Sequence, residues 1–300
     1  MALSSSTDSN DSLPLLALRL PPDVDARAWA LVLAAEDITY QWGREADGSR
    51  LLLVPADEAA RAADQLSAWL AENAPAPALP DASRHGGGTW LGLALALALL
   101  AFFTVTGDAR PSSPWLAAGS AEAGRVLGGE PWRAVTALTL HADLSHVLAN
   151  AISGGLLAIA VGTALGPGLA FLAILLSGLG GNLLSAMLRP AAQASIGAST
   201  AVFGAVGLLA GLALDRRRRA GWAGERLWLP MLAGLGLLAL LGSDPQTDVL
   251  SHSLGMLAGI PLGVCFGHVE RRWGQRNAQL AAAVLGLLLV IGCWLTAMRP

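Results

Sequence analysis

The feature that most constrains this chain is a series of long, almost uncharged apolar stretches that starts near residue 89 and runs to its last residues. Seven stand out, at about 89–106, 146–166, 168–188, 199–214, 227–242, 248–267 and 278–298. A bilayer core of about 30 Å takes roughly 20 helical residues, so a polytopic α-helical membrane protein is expected. Composition agrees. Hydrophobic residues make up 54% and charged residues 14% of the 300, against about 25% charged in soluble domains. The fourth stretch is the shortest. The polar RPAAQASIG ahead of it sets its start near Ser199, below the membrane surface.

Residues 1–75 read differently. LPLLALRL, ITYQWGRE and RLLLVPA have strand character, while DVDARAWALVLAAE and DEAARAADQLSAWLAEN have helical periodicity. That order, βαββα, predicts a small soluble α+β domain. The Pro- and Gly-rich segment 76–88 is the expected linker. Residues 89–267 then form a six-span core, and 268–300 a polar loop followed by an extra span. The first 30 residues lack a basic segment followed by an apolar one, so no cleavable signal peptide is expected.

Arginine placement predicts orientation. DRRRRAGWAGER carries five Arg and HVERRWGQRN three, whereas SDPQT carries none. Arg-rich loops stay in the cytoplasm, which puts the N-terminal domain there and opens the other ends of the helices to the outer side. The RRRR run is above all a topology signal, with contact to anionic lipid as an addition. The long connection Gly107–Leu144 is too apolar for a free tail. Transport is disfavoured, because the spans show neither intramembrane charges nor inverted repeats.

Three polar clusters fall at membrane depth on one side: HADLSHVLAN at the second span, Ser199 at the fourth and His252 at the sixth. Polar groups in hydrocarbon cost several kcal/mol unless paired, roughly in line with solvent-transfer data, so each needs a reason. Serine becomes a nucleophile beside a base, usually a neutral imidazole. An oxyanion needs donors, which backbone amides at a helix N-terminus supply. His146 and Asn150, four apart on one helix face, are candidate side-chain donors. No Asp or Glu lies inside a span beyond Asp248 at the very start of the sixth, so a Ser199–His252 dyad is the economical arrangement. Small residues recur on both helices, with Gly207 and Gly211 following Ser199 and Phe203, and Gly255, Gly259 and Gly263 following His252. Such stripes let helices approach closely. They predict that Phe203 packs on the imidazole.

EPWR, HADLSHVLAN, GAST and HSLGMLAG, in this order and on these spans, resemble the rhomboid intramembrane serine proteases of the bacterial six-plus-one type, over roughly residues 90–267. The resemblance implies a six-helix rhomboid core with a seventh span behind it, and cleavage of transmembrane segments of other membrane proteins near the outer face. It makes Ser199 the nucleophile, within a Gly-x-Ser-x setting that starts at Gly197, and His252 the base. It assigns His146 and Asn150, with the Ser199 backbone N–H, to the oxyanion hole, and makes His141 structural. Phe203, Gly197, Gly255 and Gly259 are supporting residues. Two positions depart from the usual pattern: Thr200 where Gly is common, and Phe203 where Tyr is frequent. The N-terminal element order is similar to cytosolic domains carried by some bacterial members.

Each feature has a plainer explanation. Gly-x-Ser-x in a Gly- and Ala-rich helix is usually packing, and His146, Asn150 or His252 alone can be a satisfied intramembrane polar group. Asp248 reads as a helix N-cap rather than a triad acid. Three histidines without HExxH or a carboxylate partner do not make a metal site. His85 and His268 lie in connecting segments with no partner implied, and Cys265 and Cys293 read as small core residues. The expectations are an integral protein of a bacterial inner membrane and substrates that are single-span or polytopic membrane proteins. No metal, cofactor or nucleic acid is expected. The competing function is a non-catalytic rhomboid-like protein that binds transmembrane clients.

Overall fold

In this computed structural model the described residues are 5–6, 14–19, 26–45, 48, 50–73, 85–221, 232, 236, 248–273 and 275–299. The chain divides into two compact units, Met1–Ala76 and Pro77–Pro300.

The first unit is α+β. Its strands are β1 (Ser5–Ser6), β2 (Leu15–Arg19), β3 (Gln41–Arg44) and β4 (Arg50–Pro55), and its helices α1 (Ala26–Ala35) and α2 (Ala59–Glu72). The strands form one antiparallel sheet in the order β1-β2-β4-β3, with Leu18 paired to Leu52 and Leu52 to Trp42. On α1, Ala26, Trp29, Ala30 and Leu33 fall on one helical stripe and are buried. Of these, Trp29 and Leu33 meet Leu18, Leu52 and Val54 of the sheet and Ala62 and Leu66 of α2 in a single apolar core. The short β1 adds one strand to the expected βαββα order.

The second unit carries six helices long and apolar enough to cross a membrane, among the described residues. They are α3 (Gly88–Thr106), α7 (Leu144–Leu165), α8 (Pro167–Leu188), α9 (Ser199–Arg219), α10 (Val249–Trp273) and α11 (Arg276–Ala297). The stretch expected at 227–242 lies outside the described residues, as does most of the expected linker. Between α3 and α7 the chain is not a loose loop. It forms the short helices α4 (Pro114–Gly119), α5 (Ala123–Leu127) and α6 (Arg133–Thr136), and a 3₁₀ turn at Ala137–Thr139. Arg133 folds this segment on itself. Its guanidinium is buried and donates to the Ser120 carbonyl (3.0 Å), the Ala117 carbonyl (2.9 Å) and Glu130. The Thr136 hydroxyl adds a bond to the Gly119 carbonyl (2.7 Å).

Small residues decide how the long helices meet. A Cβ at Gly92 of α3 would strike the Gly155 carbonyl of α7. Backbone meets backbone along the whole seam between α9 and α10: Gly255 lies on the Thr200 carbonyl, Gly259 on the Gly204 carbonyl and Gly263 on the Leu208 carbonyl. In return Gly207 and Gly211 receive the carbonyls of Met256 and Ile260. Without a hydrophobic force between helices in lipid, such backbone contact supplies the packing. As a result α9 is the most enclosed of the six, with two thirds of its apolar window buried against about a tenth for α3 and α11. Where the sequence implies no partner for His85, the structure supplies one, Glu270 at 2.8 Å.

Candidate active site

Ser199 is the first residue of α9, reached through a short loop held on several sides. A two-residue ladder joins Ala121–Glu122 (β5) to Ala194–Ser195 (β6). The Gly197 N–H donates to the Ala137 carbonyl (2.9 Å), and the Ala198 N–H to His141 Nε2 (3.4 Å). His141 is 2% exposed. Burial pushes its imidazole down to about 4, with neighbouring His146 adding to the shift. It is therefore neutral near pH 7 and able to accept from the loop.

Gly197 has to be glycine for two reasons. Its φ of 122° is in the region side chains avoid. A Cβ there would also sit 2.8 Å from His146 Cε1 and Nε2 and 3.6 Å from Ser199 Oγ. One point in space thus has the His146 ring on one side and the Ser199 hydroxyl on another.

His146 comes from the first turn of α7, whose N-cap is Asp143. The Asp143 carboxylate accepts from the Ser145 hydroxyl (2.6 Å) and the His146 N–H (2.8 Å), and those bonds hold it below the usual carboxylate range. Asn150, one turn on, is buried and donates to the His146 carbonyl (3.0 Å). His141 and His146 meet edge to face, with ring centroids 5.2 Å apart.

His252 arrives on α10. Its imidazole stacks on Phe203, with centroids 4.4 Å apart and planes 23° from parallel. Phe203 is one helical turn after Ser199. Nδ1 of His252 is buried without a hydrogen-bond partner among the described residues, so no carboxylate backs the ring. No hydrogen bond joins His252 to Ser199 Oγ in this structure. Such bonds are often long before substrate is present.

Sequence reasoning read Asp248 as an N-cap but missed the long-range bonds that hold this arrangement. Asp248 accepts from the Ser251 N–H (3.1 Å) as the N-cap of α10, pairs with Arg189 and accepts from the Ser195 hydroxyl (2.9 Å). One carboxylate thus ties the start of the His252 helix to the loop before Ser199. The Ser185 and Ser251 hydroxyls lie 3.0 Å apart in the buried seam between α8 and α10. Asp248 could be read as a cap from its place before a helix, but its partners 53 and 59 residues away could not. Behind the site is an apolar cavity of about 300 Å³, lined among others by Asn150, Ala198, Val202, Phe102 and Trp294. Among the described residues no group of His, Cys, Asp and Glu side chains is placed to hold a metal.

Comparison with known proteins identifies the family. The Rhomboid domain model matches residues 128–269, a segment that takes in His141, His146, Asn150, Ser199 and His252. Over 149 residues the chain is 31% identical to the putative rhomboid protease YdcA of Bacillus subtilis, spanning 49% of this chain and 74% of that protein. The chain belongs to the rhomboid family. This rhomboid is also 27% identical over 212 residues to the rhomboid protease GluP of Bacillus subtilis, covering 70% of this chain and 40% of GluP. With RHOMBOID-like protein 1 of Arabidopsis thaliana it shares 34% identity over 142 residues, 46% of this chain and 35% of the plant protein. The six apolar helices make this rhomboid an integral membrane protein. The match ends at Val269, so α11 lies beyond it.

Proposed function

We propose that this rhomboid is a serine endopeptidase that cleaves transmembrane segments of other membrane proteins, with Ser199 as nucleophile and His252 as base. The observation that carries this is the stack of His252 on Phe203, which seats an imidazole against the helix that begins with Ser199. The neutral imidazole takes the Ser199 proton as Oγ attacks the scissile carbonyl, then gives it to the departing amine. Water repeats the sequence on the acyl-enzyme. His146 and Asn150, with the Ser199 N–H at the start of α9, would receive the oxyanion. The His146 ring beside Gly197 supports that role.

A serine at membrane depth suits a substrate that arrives through the bilayer. The substrate helix has to unwind locally, since an intact helix keeps its carbonyls bonded. Small, helix-weakening residues near the cut would favour that. The domain division (1–75, 76–88, 89–267 and 268–300) belongs to the same proposal. So do a cytoplasmic N-terminal domain and a site open to the outer face, both resting on the Arg distribution, and location in a bacterial inner membrane.

The test uses purified wild type, Ser199→Ala and His252→Ala in liposomes, with single-span reporter substrates and a serine-reactive fluorophosphonate. Cleavage and labelling by wild type, both lost in Ser199→Ala, is the expected result. Cleavage that persists in Ser199→Ala would overturn it. A folded wild type that neither labels nor cleaves would point instead to a client-binding rhomboid.

A further inference from the structure

The helix beyond the family match, α11, is mostly exposed, yet polar side chains near its two ends fasten it to the rest of the unit. Near its start, Gln279 spans the corner between α7 and α8. Its Oε1 accepts from the Gly168 N–H (2.9 Å) and the Leu169 N–H (3.0 Å), and its Nε2 donates to the Leu165 carbonyl (2.7 Å). One amide thus caps the end of one span and the beginning of the next. Fifteen residues on, about 22 Å at the helical rise, Trp294 leaves α11 toward the segment between α6 and α7. It packs with Phe102 (5.4 Å between centroids) and Trp115 (5.3 Å), and its Nε1–H donates to Thr139 Oγ1 (3.1 Å). Gly119 lets the indole in, since a Cβ there would lie 2.6 Å from Trp294 Cη2.

Thr139 sits in the segment that holds the serine loop. Its own hydroxyl donates to the Thr136 carbonyl (2.8 Å). The Ala137 carbonyl accepts from Gly197, and His141 accepts from Ala198, the two residues directly before Ser199. We propose that Trp294 is a positioning residue for Ser199: its hydrogen bond to Thr139 braces the 136–141 segment, and that segment sets the backbone of Gly197 and Ala198. α11 then belongs to the active-site scaffold. In lipid, apolar contact alone fixes the rotation of a helix weakly, and the anchors at Gln279 and Trp294 fix it at both ends. This rests on the serine-protease reading for its effect on rate, but not for its effect on the loop.

The experiment compares wild type, Trp294→Phe, Thr139→Val, the double variant, Thr139→Ser and Gln279→Ala in liposomes. Three quantities are read: hydrogen exchange of the peptide that contains Gly197 and Ala198, the fluorophosphonate labelling rate, and kcat and KM on a reporter. Trp294→Phe keeps a ring in the cluster and removes only the donor. Expected are faster exchange of that peptide in Trp294→Phe and Thr139→Val, and a fall in labelling rate and kcat of about three- to tenfold, what one neutral hydrogen bond contributes. KM should stay within about twofold, because substrate binding is not the step affected. The double variant should be no worse than the weaker single variant, since both break one bond. Thr139→Ser should behave as wild type. Gln279→Ala should lower thermal stability without changing exchange of the serine loop.

Unchanged exchange at Gly197 and Ala198 in both Trp294→Phe and Thr139→Val would overturn the proposal, as would losses that add in the double variant and follow melting temperature. If exchange responds while folded wild type neither labels nor cleaves, the brace stands and the protease reading fails.

Discussion

Phe203 and His252 lie face to face, ring centroids 4.4 Å apart, one from the helix that starts at Ser199 and the other from the helix packed against it. The contact sets the plane of the imidazole. It does so without a hydrogen bond to Nδ1, which has no partner among the described residues. Orientation by stacking replaces orientation by a carboxylate.

The first prediction follows from that exchange. Phe203→Leu should lower kcat about three- to tenfold with little change in KM, in line with aromatic-pair energies of about 0.5–1.5 kcal/mol. Phe203→Tyr, which keeps the ring, should stay close to wild type. Reporter cleavage in liposomes measures both, and equal rates for Phe203→Leu and wild type would refute the stack as an orienting device.

Gly197 gives a prediction with an internal control. Gly197→Ala places a methyl against the His146 ring and strains a backbone at φ 122°. The variant should lose most labelling by fluorophosphonate and about 1–3 kcal/mol of stability. In a His146→Ala background the steric part disappears while the backbone strain remains. The same glycine substitution should therefore cost less there, as a double-mutant cycle of melting curves would reveal.

Asp248 separates two kinds of acid. As the cap of α10 and partner of the half-buried Arg189, it should matter for folding rather than for proton transfer. Asp248→Asn keeps a capping oxygen, so the pH–rate profile should keep its shape while the melting temperature falls. Asp248→Ala leaves the half-buried Arg189 without its carboxylate and the helix without its cap, and should lower the melting temperature further than Asp248→Asn does. A changed profile in Asp248→Asn would restore the acid to a catalytic role.

His141 makes stability depend on pH. Burial holds its folded-state value at about 4, below the ordinary value of about 6.5 in an unfolded chain. Between those values the unfolded chain binds more protons, so the contribution is fully present above about pH 6.5 and is lost as pH falls toward 4. The loss should reach ~3 kcal/mol at most. His141→Gln keeps an acceptor for the Ala198 N–H but does not titrate. Melting curves at pH 7.5 and 4.5 should differ less for this variant than for wild type.

The sequence made some of this legible and hid the rest. Spacings of three and four brought Gly255, Gly259 and Gly263 onto one face of α10, and the four-residue step from Ser199 to Phe203 was enough to expect a ring beneath the imidazole. These are periodic signals within one helix. The turn-rich order of the first 75 residues likewise announced strands and helices before any partner was known. What stayed hidden is non-local. Nothing in Arg133 names the Ala117 and Ser120 carbonyls, and nothing in Gln279 names the corner at Leu165–Leu169 more than a hundred residues earlier. A polar residue beside an apolar run advertises that it needs a partner, not which one. The short helices of the 107–143 connection were hidden for the same reason, since the buried arginine and the Thr136 hydroxyl hold them together rather than their own propensity.

The apolar pocket behind Ala198 and Val202 opens on one side rather than being sealed. In a bilayer such an opening is filled by hydrocarbon, because lipid tails are as apolar as its lining. Bulk added there, as in Val202→Leu, would displace a mobile chain end, whereas a methyl added at Gly207 or Gly259 would strike backbone. The helix that begins at Ser199 therefore has one face that tolerates growth and one that does not.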